Sequence, residues 1–154
     1  MEHNSKVNGF SLLEILIAMA IMTIIGGIMV GQYWNSIGTA NFQKLKGDLS
    51  VLESALIQYH ADNFMFPTTE QGLQALVSRP DIHPHPRHYP TMGYLPKLGL
   101  DPWGNPYQYN FPGEFAHYDI YSLGRDGEPG GEGEDADIGN WNIDEAIRNL
   151  KNSQ

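Results

Sequence analysis

One unbroken apolar run near the N-terminus limits what this chain can fold into. Residues 10–30 read FSLLEILIAMAIMTIIGGIMV and contain a single ionisable side chain, that of Glu14. At about 1.5 Å per helical residue, the run is long enough to cross a hydrocarbon layer of about 30 Å. It is too long for the apolar core of a secretory signal, and no A-x-A cleavage pattern follows it. The run therefore predicts a membrane-spanning helix.

Glu14 is the costly residue of this run. A carboxylate at the centre of a membrane span costs about 2.5–3.5 kcal/mol on insertion scales, so it needs compensation. In one interpretation Glu14 lies near the membrane surface, where it snorkels or is protonated. In the other, it pairs with an α-amine created by cleavage between Gly9 and Phe10, on its own chain or on a neighbouring subunit. Position alone leaves both open.

The segment Gly9-Phe10-Ser11-Leu12-Leu13-Glu14 resembles the class III signal of type IV pilins and type II secretion pseudopilins. The resemblance implies that residues 1–9 are a leader, which a prepilin peptidase removes by cleaving after Gly9. The same enzyme would then methylate the new N-terminus at Phe10. The resemblance also implies that Glu14 meets the amine of the neighbouring subunit during assembly.

Beyond the apolar run, apolar residues recur at alternating steps of four and three. They are Leu45, Leu49, Leu52, Leu56 and Tyr59. This spacing is typical of an amphipathic helix, so we expect one long helix over residues 10–63. We expect its seam to pack on the chain's own globular region, 64–154, in preference to a coiled coil, because one seam serves one partner surface.

The sequence of the globular region predicts both helices and strands. Thr68 with Gln71 forms a potential capping box for a short helix. The aromatic and polar alternation of PYQYNF and HYDIYSL predicts an antiparallel hairpin. Asn142 with Glu145 is a second potential cap, for a final helix. The expected fold class is α+β, with a long N-terminal helix packed on a small C-terminal domain that carries a short antiparallel sheet.

Between these elements lies a proline-punctuated loop that contains His83, His85 and His88. Prolines at 84 and 86 restrict the backbone, and no carboxylate follows at ligand spacing. We therefore interpret these residues as exposed loop histidines in preference to metal ligands.

Residues 123–139 concentrate carboxylates among glycines, with no basic side chain after Arg125. Such charges repel one another, and Ca²⁺ would relieve the repulsion because it accepts six to eight oxygens in flexible geometry. The EF-hand pattern fits only in part, since Gly130 occupies a ligand place and a hairpin stands where a helix should precede the loop. Spacing alone is as compatible with a solvated acidic loop as with a calcium site.

Four further segments are similar to the G-type major pseudopilins of type II secretion. They are FPTTEQGLQAL from Phe66, DPWGNPYQY from Asp101, DIYSLG from Asp119 and DIGNW from Asp137. The resemblance implies a calcium ion in the acidic loop, held by the Asp126 and Asp137 side chains and the Leu123 carbonyl. Further candidate ligands that it implies are the Glu128 carbonyl and the Asp135 carboxylate.

Charge and composition exclude several function classes. A formal net charge of -9 argues against a nucleic-acid partner, and the absence of cysteine excludes disulfides and thiolate chemistry. The sequence contains neither a nucleophile paired with a base nor a phosphate-binding loop, so no motif in it indicates an enzyme. The lack of cysteine also disfavours the alternative of a type IV major pilin forming surface fibres, which usually closes its C-terminal region with a disulfide.

The resemblance also implies a location and partners. The chain would be a single-pass protein of the Gram-negative inner membrane, with its N-terminus cytoplasmic and its globular region periplasmic. Its implied role is that of the major subunit of a pseudopilus that supports export of folded proteins. The implied partners are further copies of itself, minor pseudopilins, prepilin peptidase, the inner-membrane assembly platform, and membrane lipid before assembly.

Overall fold

A long helix, a small antiparallel sheet and a short C-terminal helix are the main elements of the described part of the chain. The structure, a computed structural model, describes residues 11–152, and the side chains of 26–37 and 151–152 lie outside that description. The elements in chain order are α1 (Leu12–Asn63), β1 (Gln108–Asn110), β2 (Asp119–Ser122), β3 (Ile138–Gly139) and α2 (Ile143–Asn152), with 3₁₀ turns at Leu73–Leu76 and Gly133–Asp135. The expected α+β class and the long helix are confirmed.

The chain divides into two compact units after Ile37. In the first unit, every described side chain from Ser11 to Ile25 is exposed, and Leu12 keeps 82% of its surface in contact with solvent. A helix that is apolar on all sides is typical of a segment covered by lipid or by other protein chains. Burial of these side chains therefore requires a partner outside this segment.

The predicted membrane span extends beyond the described residues. Phe10 lies outside them, as do the side chains of 26–30. Over the part that the structure does describe, no helix carries an apolar stretch that meets the length and hydropathy of a membrane span.

In the second unit, the predicted seam of α1 forms the core. Leu45, Leu56 and Tyr59 have no exposed surface, and Leu49 and Leu52 are also buried. The side chains that join this cluster from the rest of the unit include Leu76, Tyr109, Ile120, Ile138 and Ile147. The seam therefore packs within its own chain, as the spacing predicts.

Asn63 ends α1 and ties it to the loops that follow. Its buried side-chain amide donates to the Tyr59 carbonyl and to the Tyr94 hydroxyl, both at 3.0 Å. Its Oδ1 accepts from the backbone N–H of His88 at 2.9 Å. Phe64 then takes a left-handed conformation with φ 59°, which turns the chain away from the helix axis.

The sheet has three strands in the order β1-β2-β3, and both pairs are antiparallel. Tyr109 lies opposite Ile120 in the first pair, which confirms the predicted hairpin. In the second pair, Ser122 lies opposite Ile138. The sequence did not predict β3, because a two-residue strand has too few residues to show a period.

The two predicted helix caps have different outcomes. Thr68 and Gln71 form the reciprocal capping box, with N–H to side-chain oxygen distances of 3.0 and 3.2 Å, although the turn that follows is 3₁₀. The Asn142–Glu145 cap is wrong. The Asn142 side chain accepts from the Gly139 N–H at 2.8 Å and donates to the Asp137 carbonyl at 3.1 Å, so it braces the preceding loop instead.

Two adjacent residues of α1 test the seam. Leu56 is fully buried, whereas its neighbour Ile57 is 59% exposed. We expect Leu56→Ala to lower the free energy of unfolding by about 2–5 kcal/mol, because it removes buried methyl groups and leaves a cavity. The matched control Ile57→Ala should change it by less than about 0.5 kcal/mol. Denaturant unfolding of the full chain in detergent, followed by tryptophan fluorescence, measures both, and equal losses would contradict the packing of the seam.

Candidate metal centre in the acidic loop

The sheet brings the two ends of the acidic loop, residues 123–139, together. Leu123 directly follows Ser122, and Asp137 directly precedes Ile138. Because Ser122 and Ile138 are paired in antiparallel strands, Leu123 and Asp137 lie across from each other at the base of the loop. Two of the predicted ligands are thus neighbours through strand register.

Backbone contacts close the neck of the loop. The Arg125 N–H donates to the Glu134 carbonyl at 2.8 Å. Gly124 has φ 71°, and a Cβ there would lie only 2.7 Å from the Glu134 carbonyl oxygen. Only glycine permits this backbone conformation together with this close approach.

Asp137 has one carboxylate oxygen satisfied and one unsatisfied. Its Oδ2 accepts from the Gly130 N–H at 3.0 Å, and its own N–H donates to the Gly130 carbonyl at 3.1 Å. Its Oδ1 is buried and has no hydrogen-bond partner among the described residues. A buried carboxylate oxygen without a partner is costly, and a bound cation would satisfy it.

Asp126 and Glu128 lie on the outer part of the loop, and both are exposed. Asp126 Oδ1 accepts from the Glu128 N–H at 3.1 Å, which forms a local turn. The Asp126 Oδ2 atom makes no hydrogen bond within residues 11–152. Asp126 therefore keeps an oxygen available for a ligand.

Asp135 has a different environment from the other predicted ligands. Both of its carboxylate oxygens accept from the Arg125 guanidinium, at 2.9 Å each. Glu134 adds a longer contact to the same guanidinium at 3.4 Å. Hydrogen bonding to Asp135, supplemented by its charge, raises the pKa of Arg125. The structure thus places the Asp135 carboxylate in an ion pair.

A buried network that the sequence did not reveal supports the base of the loop. Asp101 is 4% exposed and accepts from the Trp103 N–H, the Asn105 N–H and the Ser122 hydroxyl, at 3.0, 2.7 and 2.6 Å. The Ser122 hydroxyl oxygen accepts in turn from the Gly124 N–H at 3.0 Å. The dense turn residues at 101–106 were the available signal, but they indicated only a turn.

The donors in the loop fit a hard cation. Among the described side chains, no group of three or more His, Cys, Asp or Glu residues could hold a metal ion. The three predicted aspartates, Asp126, Asp135 and Asp137, are therefore not gathered as one such group, and Asp135 is paired with Arg125 instead. The fit rests on Asp126 and Asp137 together with main-chain carbonyls. All of these donors are oxygens, which suits Ca²⁺, and the unsatisfied Asp137 Oδ1 is the observation that favours a cation.

The remaining predicted site residues lie at the N-terminus. Gly9 and Phe10 are outside the described residues. Glu14 lies in the first turn of α1, where a carboxylate interacts favourably with the helix dipole, and it is exposed.

The family described as "Type II secretion system (T2SS), protein G" matches residues 32–141. This chain belongs to that family. A second description, "Prokaryotic N-terminal methylation motif", matches residues 4–30. The two matches together extend over most of the chain and confirm the resemblance to the G-type pseudopilins.

Named relatives agree with this assignment. The "Type II secretion system core protein G" of Vibrio cholerae is 46% identical over 143 residues, which cover 93% of this chain and 97% of that protein. The protein of the same name from Klebsiella pneumoniae is 48% identical over 138 residues, 90% of this chain and 96% of its own length. The protein G family, and not the alternative of a type IV major pilin, accounts for the chain.

A solved structure supports the same assignment. The crystal structure of the major pseudopilin from the type 2 secretion system of enterohaemorrhagic Escherichia coli matches with a TM-score of 0.61 and 51% sequence identity. The match covers 66% of this protein G chain and 87% of the solved chain. The fold and the family assignment are therefore consistent.

Removal of the Asp101 carboxylate tests the support of the loop. We expect Asp101→Ala to lower the free energy of unfolding by at least about 2 kcal/mol, because buried donors lose their acceptor. Amide hydrogen exchange at Gly124 should become faster, because the Ser122 hydroxyl loses the contact that orients it.

The matched control is Asp81→Ala, which removes an exposed carboxylate from another loop. It should alter the free energy of unfolding by less than about 0.5 kcal/mol. Unchanged exchange at Gly124 in Asp101→Ala would show that the network does not hold the loop.

Proposed function

We propose that this chain is the repeating structural subunit of a type II secretion pseudopilus that assembles in the periplasm and supports export of folded proteins. The observation that carries the proposal is the protein G match over residues 32–141. The exposed apolar side chains from Ser11 to Ile25 also support it, because neighbouring copies would cover them in a filament.

Processing and assembly residues follow from the same proposal. Prepilin peptidase would cleave between Gly9 and Phe10 and methylate the new amine, in agreement with the methylation motif matched at 4–30. Within residues 11–152, no hydrogen bond or ion pair engages the Glu14 side chain. The amine of a neighbouring Phe10 would supply the opposite charge that this carboxylate needs in an apolar surrounding.

Before assembly, the span at 10–30 would lie in the inner membrane, with the N-terminus cytoplasmic and residues 64–154 periplasmic. During assembly, the contacts of this span with lipid would be exchanged for contacts with other copies of the chain. The assembly platform and minor pseudopilins would be the protein partners during this exchange. The role is structural, not catalytic, which agrees with the relatives being named core proteins of the secretion system.

Intact-mass analysis of the chain from native bacterial membranes tests the processing step. We expect a mature chain that begins at methylated Phe10, because the cut would fall after Gly9. Deletion of the prepilin peptidase should leave a chain that begins at Met1. A start at Met1 in the parent strain, or a cut beyond residue 30, would overturn the pseudopilin function.

We also propose that the acidic loop binds one calcium ion. The Asp126 and Asp137 carboxylates and the Leu123 carbonyl would be its ligands, and the Glu128 carbonyl is a further candidate. The Asp135 carboxylate would contribute only after exchange of its contacts with Arg125. An ion in this position would add a cross-link to a loop in a chain that has no cysteine for a disulfide.

Calcium removal tests this site. Binding to the folded state alone stabilises a protein by about 2.7 kcal/mol when the free ion is at a hundred times its Kd. We therefore expect a chelator to lower the melting temperature of the full chain in detergent. Asp126→Ala and Asp137→Ala should each abolish the response to chelator.

The melting temperature of each variant in calcium is compared with that of the same variant in chelator. This comparison is needed because both aspartates also accept backbone hydrogen bonds, and the loss of these bonds would itself change the melting temperature. Asp81→Ala is the control carboxylate and should keep the full response. A parent chain whose melting temperature ignores the chelator would contradict the calcium site without affecting the pseudopilus proposal.

A further inference from the structure

His83 and His85 line a second potential metal site, separate from the acidic loop. Their imidazoles border a cavity of about 540 Å³, which Met65 and Arg87 also line. The two rings are neighbours, with centroids 5.5 Å apart and planes inclined at 69°. Neither residue has a role in the calcium site or in the N-terminal processing proposed above.

The ring separation lies within the range of an edge-to-face ring pair and also allows both imidazoles to bind one ion. A zinc–nitrogen bond of about 2.0–2.1 Å puts each ring centroid about 3.2 Å from the metal. Two such rings at a tetrahedral angle would have centroids about 5.2 Å apart. The observed 5.5 Å differs from this value by a few tenths of an ångström, so small side-chain adjustments suffice.

One ring nitrogen of His85 has a backbone partner. Its Nδ1 lies 3.3 Å from the Pro80 carbonyl oxygen. Because a carbonyl oxygen can only accept, Nδ1 is the donor in this contact, and Nε2 is the ring nitrogen that is not engaged by it. Histidines that bind metals almost always donate their other ring N–H to a carbonyl or carboxylate in this way.

The backbone around both histidines is held by buried groups. Gln71 is 7% exposed, and its amide donates to the Ile82 carbonyl at 3.0 Å and to the Pro84 carbonyl at 2.8 Å. These two carbonyls flank His83. On the far side of His85, Pro86 is fully buried and its carbonyl accepts from Arg79 at 3.1 Å. The loop is therefore pre-organised, which lowers the entropic cost of binding.

We propose that His83 and His85 together bind a borderline divalent transition-metal ion such as Zn²⁺. Imidazole nitrogens suit zinc, copper and nickel, whereas calcium prefers oxygen. Water in the cavity completes the coordination, because the described residues supply no third His, Cys, Asp or Glu ligand. The Arg87 guanidinium on the cavity wall opposes a cation, so the expected affinity is below that of a structural zinc site with four protein ligands. Both side chains are exposed, as the sequence predicts, and the proposal adds a metal-binding role to them.

Isothermal titration calorimetry with zinc chloride tests the site. The protein is the full chain in detergent, without a histidine tag and saturated with calcium. We expect one zinc ion to bind per chain. His83→Ala and His85→Ala should each weaken binding at least about tenfold, because one imidazole alone leaves a single protein ligand.

His88→Ala is the matched control from the same loop and should bind zinc like the parent chain. The hydrogen bonds of His88 run through its backbone, to Asn63 and from Tyr94, so its imidazole is not part of them. Asp137→Ala should likewise keep zinc binding, which separates this site from the calcium loop.

Histidine ring ¹⁵N spectra provide a second measurement, which does not depend on the stability of the variants. Zinc should shift Nε2 of His85 while Nδ1 remains protonated. Parent-like affinity in the double variant His83→Ala/His85→Ala would overturn the proposal. Loss of zinc binding in Asp137→Ala, with the histidine spectra unchanged by zinc, would overturn it as well.

Discussion

The burial of one face of α1 is the interaction on which the second unit depends. Leu56 and Tyr59 are fully buried there, and the sheet contributes Ile120 to the same cluster. Polar contacts then fix the register between this helix and the elements around it. The Tyr107 hydroxyl donates to Asp48 at 2.7 Å, and Lys46 pairs with Asp144 of α2 at 2.6 Å. Without a disulfide, a small unit of this kind depends on packing and on such contacts, to which the proposed calcium ion would add a further cross-link.

The sequence predicted what depends on local periodicity or on pairs close along the chain. The seam of α1 repeats over four turns, and the Thr68–Gln71 box spans four residues, so both could be predicted. The contact between Arg125 and Asp135 could not, because it arises from the path of an irregular loop. Asn142 shows the same limit: its local pattern favoured a helix cap, but the pairing of β2 with β3 brings Gly139 within reach of its side chain.

A comparison of the hydrogen bonds made by three aspartates shows why Asp137 suggests a cation. Asp119 is 1% exposed, and both of its oxygens accept from backbone N–H groups at 114–116. Asp101 is satisfied in the same way by backbone and hydroxyl donors. Asp137 alone of the three keeps a buried oxygen without a donor. This exception among the three aspartates supports the proposal of a cation beside Asp137.

The two proposed metal sites differ in donor type, and this difference controls which ion each would take. The acidic loop offers carboxylate and carbonyl oxygens, which a hard ion such as Ca²⁺ requires in number. His83 and His85 offer two imidazole nitrogens, which replace calcium's hydration shell poorly but bind borderline metals well. Calcium therefore has weak affinity for the imidazole pair, whereas zinc also binds carboxylates and would be kept from the acidic loop by competing calcium. Calcium at millimolar concentration would leave the imidazole pair open, so the two sites would be occupied independently within one subunit.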